Sequence, residues 1–213
     1  MKTDELISLL AAGEGPVDRH ALARRLSLAL LGGVACALLL LVATYGVRSD
    51  LAEVARTPLF WAKVALPGSL ALLGIGLTQR LARPGVKGGA LWALLGLPLV
   101  LVWAGAAISL AGAPVEARAD LIFGRTWRTC PLNIALLSAP SFIAVFWALR
   151  GLAPTRLRHA GAAGGLLAGA TATLVYCLHC PEMGVPFWGL WYLLGMLLPT
   201  VLGALLGPRL LRW

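Results

Sequence analysis

Charge is what this chain has least of. Only 13% of its 213 residues are Asp, Glu, Lys or Arg, and 59% are apolar, whereas soluble domains carry about 25% charged residues. With a mean hydropathy of +0.84, a water-soluble globular fold is excluded. Strand alternation is missing too. That excludes a transmembrane barrel and leaves helices, the other way to satisfy backbone groups in lipid. The long apolar runs lack Asp, Glu and His in their interiors, so the polar ladder of an ion path is wanting and a metal transporter is disfavoured. No cleavable signal peptide is evident: the first run begins near Leu26, behind a polar tail, and reads as an uncleaved anchor. The net charge of +9 does not indicate direct nucleic-acid binding. The basic residues sit in short clusters between apolar runs, where they set topology and meet lipid headgroups.

What is present is a series of apolar runs, each long enough to cross about 30 Å of hydrocarbon as a helix. The pattern predicts an all-α, polytopic membrane protein with six spans: Leu26–Val47, Pro58–Leu77, Gly89–Ala111, Cys130–Leu149, Gly161–Cys177 and Pro186–Leu206. Residues 1–25 form a tail and residues 26–213 the membrane domain. Twelve Lys and Arg fall outside the spans on the tail's side and five on the other. The positive-inside rule therefore predicts that both termini are cytoplasmic. Pro67, Pro98, Pro140 and Pro199 lie inside spans and are expected to kink them. The fifth run carries small residues four apart, Gly161/Gly165 and Gly164/Ala168, suited to close packing against a neighbour within the chain. Trp61, Trp127, Trp188, Trp191, Tyr45, Tyr176 and Tyr192 cluster at the outer ends and read as an aromatic belt. Lys63 is the one charge well inside a span. Its stem is long enough to snorkel to the headgroups; the sharper alternative is that its ammonium stabilises a thiolate.

Of four cysteines, Cys36 is mid-span and reads as a small buried apolar residue. The other three should meet. Cys130 opens the fourth span, and Cys177 and Cys180 close the fifth, so an up-and-down topology brings all three, with His179, to one outer surface exposed to oxidants and metals. Cys130-Pro131 lies at a helix N-terminus, near Arg125 and Arg128, where an anion is favoured. Asn133, one turn on, is in reach of the sulfur. Cys177 and Cys180 share a helix face before Pro181 stops the helix, and there the dipole disfavours thiolate. Cys130 is thus expected to be the reactive thiol. Three readings stay open: a structural disulfide, a reversible thiol switch, and a transient soft-metal site built from Cys130, Cys177, His179, Cys180 and Met183. No obligatory cofactor is implied. A thiol-disulfide oxidoreductase coupled to quinone is the enzymatic alternative, although such chemistry wants two cooperating cysteine pairs.

The tail opens with Thr3 as a candidate helix cap and Asp4 and Glu5 in the first turn. Leu6, Ile7, Leu9 and Leu10 follow as an apolar stripe, and a break is expected over Ala11–Pro16. Interfacial helices are generally basic; this one is acidic, which favours a groove on a soluble partner over the bilayer.

The Met1–Ile7 opening, the stretch Arg128-Thr129-Cys130-Pro131-Leu132-Asn133 with Ser138-Ala139-Pro140, and Cys177-Leu178-His179-Cys180-Pro181-Glu182 resemble the NrsF family over essentially the whole chain. The resemblance implies an anti-sigma factor of the bacterial inner membrane that restrains an extracytoplasmic-function sigma factor of the SigF type. It further implies that heavy-metal or oxidative stress is sensed by periplasmic cysteines, which fall on Cys130 and Cys180, and that the partner is a sigma factor held by the tail.

Overall fold

The computed structural model describes residues 2–12 and 20–212. Among these residues the regular structure is helical: α1 (Thr3–Ala11), α2 (Ala21–Thr44), α3 (Leu51–Val54), α4 (Pro58–Leu81), α5 (Ala90–Leu94), α6 (Gly96–Gly112), α7 (Val115–Phe123), α8 (Cys130–Arg150), α9 (Leu157–Tyr176) and α10 (Val185–Leu210). The expected break in the tail at Gly13–Pro16 lies outside the described residues, as does the side chain of Leu10.

Among the described residues, five helical stretches are long and apolar enough to cross a membrane: α2, α4, α5 with α6, α8 and α10. The fifth predicted span exists as α9, but it is not among these five, and its composition explains why. Fourteen of its 20 residues are buried, against α10, α8, α4 and α2. A helix walled by other helices needs small side chains rather than the greasy ones that face lipid. A Cβ at Gly161 or Gly165 would run into the backbone oxygens of Gly203 or Pro199 on α10, while one at Gly164 would sit 3.0 Å from Leu149 on α8. Both small-residue repeats are therefore spent on packing within the chain, as expected.

α5 and α6 lie at the periphery, packed on α4 and α10. The predicted third span is divided at Leu95. Pro98 accounts for this: its ring crowds the carbonyl four residues back, that of Leu94, where α5 ends. α2 approaches α8 closely enough that a Cβ on Gly33 would lie 2.6 Å from Ser141 Cα.

Polar contacts gather at the two ends of the bundle. At one end, His179 meets Gly46, Arg125 meets Glu182, and Trp191 meets Ile122. At the other, Arg25 meets Trp147, and the Gly85 N–H meets Thr155. Cys36 is exposed on the apolar flank of α2 rather than buried within the protein. Mid-span position fixes depth along the helix, not which side faces the neighbours.

In the tail, Lys2 rather than Thr3 occupies the cap position of α1. The Glu5 carboxylate accepts its N–H at 3.1 Å, closing the first turn from the carboxylate side. Asp4 and Glu5 occupy that turn as expected.

Candidate functional site

The local fold brings Cys130, Cys177 and Cys180 to the same end of the bundle, as their spacing implies. α9 continues as a helical turn past its last residue: the N–H groups of His179 and Cys180 both donate to the Tyr176 carbonyl at 3.0 Å. Pro181 then prevents continuation. On the facing helix, Pro131 occupies the first turn of α8. Cys130 and Cys180, fifty positions apart in the chain, lie with their thiols in mutual hydrogen-bonding reach. All four cysteines are free thiols.

The surface expected to be open to oxidants and metals is closed. Cys130, Cys177 and Cys180 are each 0% exposed. Cys180 belongs to the 178–184 segment, which is pinned from several sides. The Glu182 carboxylate accepts from the Arg125 N–H at 2.7 Å and from the Thr126 hydroxyl at 3.4 Å. Gly124 makes this possible: its φ is +52°, and a Cβ there would lie 2.7 Å from Glu182 Oε2. Arg48 donates to the Cys180 carbonyl at 3.1 Å and to the Met183 sulfur at 3.7 Å, while pairing with Asp50 at 2.6 Å. Trp188 Nε1 donates to the Met183 carbonyl.

Lys63 does not snorkel. It is 0% exposed, and its ammonium donates to the carbonyls of Cys180 and Glu182, both at 2.8 Å. It also lies 5.5 Å from the Tyr192 ring centroid. The loop carbonyls supply in place what a longer path to the headgroups would have supplied. The ammonium is therefore a fixed part of the thiol cluster.

Tyr176 and Tyr192 are likewise not belt residues, being 1% and 0% exposed, and Trp188 is buried with them. Asn133 Nδ2 donates to the Tyr176 hydroxyl at 3.5 Å rather than to a sulfur, and that hydroxyl in turn neighbours Cys130. The Tyr192 hydroxyl is buried without an oxygen or nitrogen partner and lies beside Cys177 and Cys180. Of the expected belt, Trp61 is 60% exposed, and Trp127 and Trp191 pack together at the same end of the bundle as the thiols.

The expected reactivity order also changes. The Cys130 N–H is already taken by the Thr126 carbonyl at 2.9 Å, so Cys130 does not sit on a bare helix end. Arg128 lies over the Trp127 ring instead. Cys180 is the acidic thiol. A hydrogen bond from Cys130 holds it below the ordinary thiol range against the opposing effect of burial, with the Lys63 ammonium and Tyr192 hydroxyl assisting.

The five residues expected as metal ligands separate into two groups. Cys130 and Cys180 pair directly, and Cys177 lies near Cys180. His179 turns its Nδ1 to the Gly46 carbonyl at 3.0 Å and packs on Tyr45 and Tyr176, and Met183 is engaged by Arg48. Among the described residues, no group of three or more His, Cys, Asp or Glu is arranged to hold a metal ion. Arg48, Glu182 and the two tyrosines are the site residues that sequence reasoning missed. Glu182 stood in the quoted Cys-Pro-Glu stretch, whereas Arg48 and the tyrosines read equally well as ordinary boundary residues.

A family model described as NrsF, negative regulator of sigma F, matches residues 10–213. The chain belongs to the NrsF family. A protein of Azospira oryzae named "Probable anti-sigma-F factor NrsF" is 51% identical over 213 residues, covering 100% of both chains. The Caulobacter vibrioides "Anti-sigma-F factor NrsF" is 42% identical over 216 residues, again with 100% of both covered. No solved structure matches. NrsF is a family of regulators, not enzymes, so the quinone-linked oxidoreductase is set aside.

Proposed function

We propose that the chain is an integral-membrane anti-sigma factor of the inner membrane whose tail holds an extracytoplasmic-function sigma factor and whose Cys130–Cys180 pair controls release. Full-length relatives bearing the anti-sigma-F name support the first half. The contact between two buried thiols from the start of α8 and the end of α9 carries the second.

Two chemistries use that contact. A two-electron oxidant such as a peroxide takes two electrons and two protons from the pair and is reduced to water, leaving a Cys130–Cys180 disulfide. A soft metal ion displaces the two protons and is held by two thiolates, without His179 or Met183. Cys177 is the third sulfur available for exchange. Either event ends the Cys130–Cys180 hydrogen bond and alters the charge beside Lys63, so the 178–184 segment must repack. Moving the sigma factor from 99:1 held to 1:99 takes about 5.5 kcal/mol of differential stabilisation, more than the roughly 2–4 kcal/mol typical of a disulfide, so the pair by itself shifts the balance only part of that way.

α9 acts as a sixth crossing. It lies along α8 from the Cys130–Cys180 contact at one end to Gly164 against Leu149 towards the other, so it traverses the thickness that α8 traverses. Six crossings put both termini on one side, and the excess of Lys and Arg makes that side the cytoplasm. The thiols then face the periplasm. α1 presents Leu6, Ile7 and Leu9 exposed behind an acidic first turn, with Thr3, Asp4 and Glu5 completing the surface offered to a groove on the sigma factor.

Replacing Cys130 and Cys180 together by Ser is expected to leave sigma-dependent transcription repressed under oxidant or metal stress. Normal induction in that double variant overturns the sensing role. Deleting residues 2–12 is expected to release the sigma factor constitutively, and continued repression removes the tail as its binding surface.

A further inference from the structure

The end of the bundle opposite the thiols carries a second feature. Arg25 of α2, Arg150 at the end of α8 and Arg212 beyond α10 line one cavity of about 520 Å³, together with Trp147 and Gly151. Three arginines from three segments line it, Arg150 and Arg212 exposed and Arg25 half-buried, and no carboxylate is among the described lining residues. Arg25 is held in place: it donates to the Trp147 carbonyl at 3.2 Å and lies 4.4 Å from the Trp147 ring centroid. Gly151 leaves room for it, since a Cβ there would strike the guanidinium. The Arg25 Nε is buried with no hydrogen-bond partner among the described residues. Like charges gathered at a partly dry site repel unless an anion sits among them.

A second cavity, of about 480 Å³, runs along the crevice between α2 and α8. Its walls are apolar, including Leu28, Gly32, Cys36, Pro140 and Ile143, and Trp147 lines both cavities. The exposed thiol of Cys36 and the open space over Gly32, where a Cβ would meet nothing within 4 Å, leave this crevice unfilled by the protein. The two cavities thus set a cationic pocket at a span end beside an apolar groove, with Trp147 common to both.

We propose that this composite site binds one anionic glycerophospholipid. Its phosphodiester lies among Arg25, Arg150 and Arg212, and an acyl chain lies along the α2–α8 crevice over Gly32 and Cys36. A basic pocket between spans is suited to such a headgroup, and bidentate guanidinium donors match phosphate oxygens. A zwitterionic headgroup brings an ammonium into the same pocket and is disfavoured. A small anion fills the polar end but gains nothing from the groove. Because α8 joins this pocket to Cys130, bound lipid braces the helix that carries one of the two paired thiols.

The test uses the full chain in detergent, with dioleoyl phosphatidylglycerol, dioleoyl phosphatidylcholine and inorganic phosphate as probes, and bound lipid counted by native mass spectrometry. Phosphatidylglycerol is expected to be retained in preference to phosphatidylcholine. Removing two surface-level charges with R150Q/R212Q, which leaves Arg25 of α2 in place against Trp147, is expected to weaken it about 30-fold. Filling the crevice with Cys36→Trp is expected to weaken phosphatidylglycerol while leaving any response to phosphate unchanged. Equal retention of the two lipids, or phosphatidylglycerol binding unchanged in R150Q/R212Q, overturns the proposal. Displacement of the lipid by millimolar phosphate alone also overturns it, by making the occupant a small anion.

Discussion

Replacing Lys63 by Met tests whether the buried ammonium holds the segment that carries Cys180. Methionine keeps most of the side-chain volume and removes all donors. Two bonds of 2.8 Å are lost, to the carbonyls of Cys180 and Glu182. The consequences differ: the Cys180 carbonyl keeps Arg48 at 3.1 Å, whereas the Glu182 carbonyl loses its side-chain donor. A buried carbonyl left without a partner costs about 1–3 kcal/mol, and a hydrogen bond to a charged group is worth about 1.5–3 kcal/mol. Relief from burying an ammonium works the other way. The net expectation is about 2 kcal/mol, confined to the 178–184 segment, because both lost bonds end on that segment while α8, α9 and α10 keep their own interfaces. Hydrogen exchange of the His179 and Cys180 amides, both bonded to the Tyr176 carbonyl, reads that local opening without involving thiol chemistry. About 2 kcal/mol corresponds to roughly 30-fold faster exchange. Exchange at 178–184 unchanged from the parent, in a variant that still folds, refutes the assignment of Lys63 as the fastener.

Peroxide treatment of the purified chain is expected to link Cys130 to Cys180, as read by peptide mass mapping, and the link should persist in Cys177→Ser; a dominant Cys177–Cys180 link contradicts the pairing. The Cys180 thiol is held below its ordinary range by the Cys130 hydrogen bond, with Lys63 and Tyr192 assisting. Its ionisation therefore stabilises the folded segment above the unfolded thiol range, and that contribution fades as pH falls through the lower folded value. Protection of the 178–184 amides, after correction for intrinsic exchange, should decline over that window and lose the dependence in Cys180→Ser. Gly165→Ala places a methyl against the Pro199 carbonyl carbon at 2.8 Å and is expected to cost about 1–3 kcal/mol by overpacking. Gly32→Ala, with nothing within 4 Å, is expected to leave the thermal midpoint nearly unchanged; equal effects of the two substitutions contradict the helix contact described.

Hydropathy and spacing were enough to locate the long helices within a few residues and to bring Cys130 to Cys177 and Cys180, because successive apolar rods in a bilayer alternate in direction and consecutive ends must meet. Family membership was legible too, in the cysteine-proline stretches. Which apolar residue faces a neighbour and which faces lipid was not legible, since the same side chains serve both surroundings. Cys36 and Tyr192 show this: one reads as core and is exposed, the other reads as rim and is wholly buried. α9 fails the test of apolar composition because helices rather than lipid surround it. The course of Lys63 also depended on tertiary structure. A flexible cation goes to the nearest adequate acceptors, and here those are carbonyls of a turn more than a hundred residues away in the chain, brought within 2.8 Å only by folding.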